Sequence, residues 1–224
     1  MNDKNTLLNS KLPSGVVLKD KLNMEKRSIE LQNYIDNFIP EIKNLSQEET
    51  GNKYVIDLGP GPGDFLEICR KYGFNIKGYD AKLDSIKGMG MDYVNLCAIY
   101  VKEKDIPIDY CDFEETGFNC IEDNSVYLIN SRGSFEQIFS KYLIGTPHHE
   151  THKSNQEWSH TDEMYSKLKT FFLDCSNKLI KNGILLIAFN GTKCNSLHNI
   201  INKLLPNTLH IQHSEPRILK VIKI

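Results

Sequence analysis

From residue 54 onward, short unbroken apolar runs alternate with stretches whose apolar residues recur every three or four positions. "YVIDL" (54–58) is a run of strand type. "DFLEICRKYG" puts Phe65, Leu66, Cys69 and Tyr72 on one face of a helix, and Gly73 suits its C-terminal cap. "FNIKGYD" predicts a second strand, 91–102 a helix on Val94, Cys97 and Val101, "PIDYCD" a third strand and "SVYLIN" a fourth. The stretch 141–158 has no period and reads as an insertion. A helix is predicted from near Ser159, where Ser159 and Asp162 match the S-x-x-D cap spacing. Met164, Leu168, Phe171, Phe172, Cys175 and Leu179 carry its stripe, and Asn182-Gly183 is expected to close it. "ILLIAFN" is a fifth strand, apolar on both faces. Another helix follows at 195–205, and "LHIQH" with "RILKVIKI" reads as a terminal hairpin.

The pattern upstream is different. Residues 1 to about 24 carry Pro13, Gly15 and scattered polar residues and read as an arm, partly ordered at best. Leu31, Tyr34, Ile35, Phe38, Ile42 and Leu45 stand at helical spacing, with Pro40 kinking or dividing that helix. "SQEETGN" is a polar linker. The division expected is 1–52, an arm and helix packing on the core, and 53–224, a ligand-binding domain with a substrate-side insertion at about 141–160. Strands alternating with helices predict an α/β fold: a doubly wound, mostly parallel sheet covered on both faces. Such sheets bind ligands at the carboxyl ends of their strands, near the switch in strand order.

Composition changes this picture only by exclusion. The 224 residues suit one α/β domain. With 27 Lys+Arg against 29 Asp+Glu, the formal charge of −2 argues against a broad polyphosphate-binding surface, so no nucleic-acid partner is expected. The six cysteines (Cys69, Cys97, Cys111, Cys120, Cys175 and Cys194) form no C-x-x-C pair, so neither a metal nor a disulfide framework is expected. Free thiols suit a reducing compartment. "MNDKNTLLNS" lacks a signal-peptide core, and no apolar run approaches membrane-spanning length. The reading is a cytoplasmic protein with no membrane partner.

The candidate chemistry starts at "YVIDLGPGPG". Gly59, Gly61 and Gly63 let the backbone turn sharply and approach a ligand. The helix that follows points free N–H groups and its positive dipole end at the same place. Asp80 lies seventeen positions after Gly63, at the end of the second strand, suited to accept hydrogen bonds from ribose hydroxyls. The spacing is G-x-G-x-G, not the dinucleotide G-x-G-x-x-G, and Asp57 stands two positions before the first glycine. That acid repels a pyrophosphate and attracts an ammonium group. A ligand with a ribose, an amino-acid tail and no phosphate fits, and S-adenosylmethionine (SAM) is such a ligand.

"VIDLGPGPGDFLEIC" followed by "GYD" resembles motif I and the second-strand acid of class I SAM-dependent methyltransferases. In element order the similarity runs from residue 54 to about 224. The resemblance implies a Rossmann-like seven-stranded sheet with its last strand antiparallel. It implies that Asp57, Gly59, Pro60, Gly61 and Gly63 surround the methionine part of SAM, and that Asp80, with Ala81 beside it, holds the ribose. Asp112 matches the position that meets the adenine amino group, with Phe113 alongside, and Asn130 the position beside the methyl or the SAM tail.

For methyl transfer the nucleophile, methyl carbon and sulfur must be aligned, and a proton removed where the nucleophile carries one. The insertion "GTPHHETHKSNQEWSH" holds His148, His149, His152 and His160. Three readings compete there: a metal site on His148 and His152 with Glu150, a solvated loop, or a lid carrying a catalytic histidine. His160, at a helix N-terminus, would be kept neutral as a base requires. His148, His149 and His160 are the candidate bases, and no metal is assigned. Arg132 and Ser134 follow the fourth strand, where an arginine can clamp a carboxylate or phosphate or else form a surface ion pair, and Glu136 is an alternative base or an anchor for an acceptor hydroxyl. "NSRG" departs from the acid-or-Asn, Pro-Pro, aromatic pattern of amino-methylating nucleic-acid enzymes. The expected function is SAM-dependent methyl transfer to a small polar or anionic acceptor at oxygen, with nitrogen as the alternative atom: a sugar, phosphorylated metabolite or cell-surface precursor. The alternatives are a non-catalytic SAM-binding protein, a methyltransferase acting on a macromolecule and, on motif spacing alone, an NAD-dependent oxidoreductase.

Overall fold

The computed structural model describes residues 4–11, 17–45, 47–81, 91–111, 117–144, 157–189, 195–215 and 217–224. Nine strands are described: β1 (Tyr54–Leu58), β2 (Asn75–Asp80), β3 (Ile108–Tyr110), β4 (Val126–Arg132), β5 (Leu143–Ile144), β6 (Glu157–Trp158), β7 (Leu179–Ala188), β8 (Leu209–Glu215) and β9 (Ile218–Lys223). Seven form one sheet in the order β3-β2-β1-β4-β7-β9-β8. β9 runs antiparallel to β7 and β8, and the other pairs are parallel. β5 and β6 make a separate antiparallel pair. The chain steps from β1 outward to β3, then crosses back to place β4 on the other side of β1. That reversal is the switch in strand order where ligands bind in such sheets.

The unbroken apolar character of the central strands has a simple cause: both faces are covered, and successive side chains alternate between two cores. Val55, Leu128, Ile184 and Leu186 join α3 (Met24–Phe38) and α5 (Asp64–Lys71) on one face. Ile56, Ile129, Leu185 and Ile187 join α8 (Asp162–Lys178) and α9 (Asn195–Leu204) on the other. Each such buried aliphatic or aromatic side chain contributes roughly 1.5–3 kcal/mol relative to exposure.

The sequence pattern is filled in at the arm and corrected at three further places. The arm contributes α1 (Lys4–Leu8) and α2 (Leu18–Lys21), and Leu7, Leu18 and Leu22 are buried with Leu96 of α6 (Met91–Glu103). The polar stretch before β1 holds a one-turn helix, α4 (Gln47–Thr50). α8 is capped by Thr161, whose side chain accepts from Met164 N–H, and not by Ser159. Thr161 reaches the third residue on, as an N-cap does, whereas Ser159 lies two positions too early. Finally, α8 ends at Lys178, and Asn182-Gly183 lies inside β7. There Asn182 takes a φ of 62°, and pairing with β4 shifts from Val126↔Leu179 to Leu128↔Ile184. Asn tolerates this left-handed conformation, so the residues that look like a helix stop make a bulge. α3 ends at Phe38 before Pro40, as the proline requires, and a short 3-10 turn follows at Pro40–Lys43.

Candidate functional site

β1 delivers its chain into the glycine turn at the switch point. Gly59, Gly61 and Gly63 all take positive φ, 69°, 54° and 76°. The turn is tied at both ends: Gly59 N–H donates to Tyr79 C=O over 2.8 Å, and Gly63 N–H to Pro60 C=O over 3.0 Å. At Gly59 a side chain is doubly excluded. Beyond its φ, an added Cβ would lie 2.6 Å from Ser134 Cβ. Ser134, after β4, is buried, and its hydroxyl donates to Leu58 C=O and meets Ser131 Oγ at 2.8 Å. The segment after β4 thus forms one wall of the turn.

Gly63 caps α5, whose first residue is Asp64. Asp64 is buried and clamped from two elements. Arg27 of α3 donates from Nε to Oδ2 over 2.7 Å, and Lys104, just beyond α6, pairs with Oδ1. Lys104 Nζ also donates to Pro62 C=O over 3.0 Å. One carboxylate at the start of a helix, where negative charge is favoured, therefore holds the turn to two flanking helices.

The acids stand where the motif spacing puts them. Asp57 is buried within β1, and Asn130 on the adjacent β4 donates Nδ2 to its Oδ1 over 2.7 Å. Tyr34 of α3 donates its hydroxyl to Asn130 Oδ1 over 3.0 Å, completing a buried chain Tyr34–Asn130–Asp57. Burial pushes the Asp57 carboxyl up to about 7; the Asn130 bond and the Arg132 charge oppose this, and Asp80 adds to it. Burial also lifts Tyr34 well above the usual phenol range, with Asp57 adding and Arg132 opposing. Asp80 ends β2, accepts from Ala81 N–H over 2.9 Å, and is raised chiefly by burial, against that hydrogen bond.

On the far side of the switch point, Arg132 ends β4. Its guanidinium lies 4.0 Å from Glu30 and 5.8 Å from the Tyr34 ring centroid. It therefore faces α3, with 37% of its side chain exposed. Glu136 is buried in α7 (Phe135–Ile138). His160 precedes the Thr161 cap with a φ of 52°, is exposed, and places Nδ1 3.0 Å from the Tyr165 hydroxyl. Asp112, Phe113, His148, His149 and His152 lie outside the described residues. Among the described residues no group of three His, Cys, Asp or Glu could hold a metal ion, and no helix is long and apolar enough to cross a membrane.

The site thus gathers Asp57, the three glycines, Asp80 and Asn130 around one strand switch. Sequence reasoning missed the clamp on Asp64 and the Ser134 wall. Asp64 carries a weak signal, an acid at the first position of a helix. Arg27, Lys104 and Ser134 reach the turn only through the packing of α3, α6 and β4.

A pyrophosphate in this turn would face the buried Asp57, while a ribose and an ammonium group suit two carboxyls flanking a bare backbone turn. The residues present fit SAM.

No family model and no curated protein sequence matches the chain. Solved structures do. The PH0226 protein from Pyrococcus horikoshii OT3 aligns with 87% of this chain and 91% of its own, at 14% identity and a TM-score of 0.52. TrmN from Thermus thermophilus aligns with 88% of this chain at 12% identity and a TM-score of 0.50. This chain spans about half of that protein, 49% of its length. A SAM dependent methyltransferase from Archaeoglobus fulgidus aligns with 89% of this chain and 93% of its own, at 15% identity and a TM-score of 0.49. At these identities the likeness is one of fold. With its strand order and single reversed strand, the chain has the seven-stranded Rossmann-like sheet, last strand antiparallel, that the resemblance implied, and it shares its fold with the PH0226 protein and TrmN.

Proposed function

We propose that the chain is a SAM-dependent methyltransferase that moves the methyl group to a small polar or anionic acceptor, at oxygen, by in-line displacement. The observation that carries the reading is the pairing of a phosphate-free turn with two acids: Asp57 buried on β1 just before Gly59, and Asp80 at the neighbouring strand end. SAM supplies an electrophilic methyl on a sulfonium. The chain supplies position. Asp57 accepts from the ammonium group, held in place by Asn130 and Tyr34. Asp80 accepts from the ribose hydroxyls. Gly59, Gly61 and Gly63 bring backbone to the amino-acid tail without intervening side chains.

On the acceptor side, Arg132 is a cation at the switch point, and an anionic acceptor would compete with Glu30 for it. Glu136 and His160 are the described candidates for the proton, with His148 and His149 alongside them in sequence. Orientation of this kind contributes roughly 7–11 kcal/mol to a bimolecular reaction, and a base about 10²–10⁴-fold. The near-neutral charge supports a small acceptor over a nucleic acid.

Calorimetry with SAM and with NAD, followed by a panel of sugars, phosphorylated metabolites and phenols with labelled SAM, tests this reading. SAM binding with turnover on the polar or anionic members is expected. Turnover on phenols alone overturns the acceptor class. SAM binding with no turnover favours a non-catalytic binder, and tight NAD binding overturns the cofactor.

A further inference from the structure

Two cysteines stand together at the end of β3, outside the chemistry described above. Cys111 directly follows β3 and is buried. Its N–H donates to Asp80 C=O over 2.9 Å. Its Sγ lies 2.7 Å from Cys120 Sγ, and Cys120 is exposed. We propose that Cys111 and Cys120 are a reversible dithiol–disulfide pair, a redox modification site beside the acid that would hold the ribose.

Three observations carry this. The sulfurs are in contact, so bond formation needs little backbone movement. One sulfur is open to an external oxidant and the other is sheltered, the arrangement of an attacked and a resolving thiol. The other described cysteines, Cys69, Cys97 and Cys175, are buried and do not compete. A zinc site is a poorer account, because structural zinc takes four ligands and no group of three stands together among the described residues.

The chemistry balances with a small disulfide such as oxidised glutathione. The Cys120 thiolate attacks one glutathione sulfur, and one glutathione thiolate leaves. The Cys111 thiolate then attacks the Cys120 sulfur of the mixed disulfide, and the second glutathione thiolate leaves. Two protein thiols are oxidised, one disulfide is reduced to two thiols, and the two protein protons pass to the released thiolates. Desolvation where its sulfur meets Cys111, together with the hydrogen bond to that thiol, pushes the Cys120 thiol up from its ordinary value, so exchange at neutral pH is slow. The pair is a stable dithiol until oxidant persists. Through the Cys111–Asp80 backbone bond, the new covalent link then acts on the strand end that carries the ribose acid. That second consequence rests on the function proposed above.

The test incubates the full chain with oxidised glutathione at mildly alkaline pH, blocks the remaining thiols and maps the peptides. A Cys111–Cys120 cross-link, reversed by dithiothreitol and absent in Cys120→Ser and Cys111→Ser, is expected. Glutathione retained on Cys120 with no cross-link overturns the pair. Calorimetry then compares SAM affinity in the two redox states, with a difference of about fivefold or more expected. Equal affinities overturn the link to Asp80. If neither form binds SAM, the proposed function fails, while the peptide map still decides the thiol pair.

Discussion

Asn130 donates its amide to Asp57 over 2.7 Å while its own oxygen accepts from Tyr34 over 3.0 Å. One buried side chain on β4 thus joins the acid of β1 to a tyrosine of α3. Burial makes the charge of Asp57 a variable, against the pull of the Asn130 bond, and Asn130 ties α3 to the strand that feeds the glycine turn.

The pH dependence of cofactor binding follows from Asp57. Its carboxyl is pushed up to about 7, so below that pH it is mostly protonated and a poor partner for an ammonium group. Affinity for SAM should rise by up to about tenfold per unit as pH increases toward 7 and then level off. It falls again as the ligand's amino group loses its charge, near the ordinary α-amino value of about 7.7–8.0. Titration calorimetry from pH 5.5 to 8.5 reads this directly. Asp57→Asn should bind weakly and without the rise below pH 7.

The same shift has the opposite sign for stability. An unfolded aspartate titrates near 3.9, so between about pH 4 and 7 the unfolded chain releases a proton that the folded chain keeps. Asp57 therefore subtracts stability as pH rises through that window, and the loss is complete above it. Asp57→Asn should melt higher than the parent at pH 8, and the two should converge at pH 4. Thermal melts at the two pH values test this, and a variant that melts lower at pH 8 contradicts the assignment.

Tyr34→Phe removes one hydroxyl and leaves Asn130 Oδ1 without its buried donor. A buried acceptor stripped of its partner costs about 1–3 kcal/mol. In a chain of this size that is a melting-temperature drop of roughly 2–4 °C per kcal/mol. Affinity for SAM should fall as well, because Asn130 orients Asp57. Unchanged affinity would reduce Tyr34 to packing alone.

Gly59→Ala tests the turn. A non-glycine residue at a φ of 69° costs roughly 1–2 kcal/mol, and its Cβ meets Ser134 Cβ at 2.6 Å. Loss of SAM binding and a lower melting temperature are expected. Ser134→Gly removes the clash but also the hydroxyl's bonds to Leu58 and Ser131, so the double variant is compared with Ser134→Gly alone, and differential scanning calorimetry should show only the backbone part between those two.

Asp64→Ala leaves Arg27 and Lys104 without their shared counter-charge. Breaking a fully buried pair costs roughly 3–5 kcal/mol. The loss here should be smaller, because 21% of the Arg27 side chain remains in solvent. Denaturant unfolding should show the destabilisation. Arg27→Ala alone should cost less, since Lys104 still satisfies Asp64.

The chain's order of elements and the glycine turn were legible because they depend on local rules. Apolar runs at β1, β4 and β7 mark strands covered on both faces, the spacing of Phe65, Leu66 and Cys69 marks one helix face, and three glycines before Asp64 mark a turn feeding that helix. What those rules could not give was which distant side chains meet. Asn182-Gly183 reads locally as a stop, yet pairing with β4 carries the strand through it as a bulge. Cys111 and Cys120 lie nine positions apart with no motif, and only the tertiary structure brings their sulfurs together. Tyr34, Arg27, Lys104 and Ser134 are far in sequence from the turn they support, and packing α3, α6 and the end of β4 against one strand switch puts them there. Periodicity encodes which face of an element is buried; the partner on that face is fixed only when the whole sheet closes.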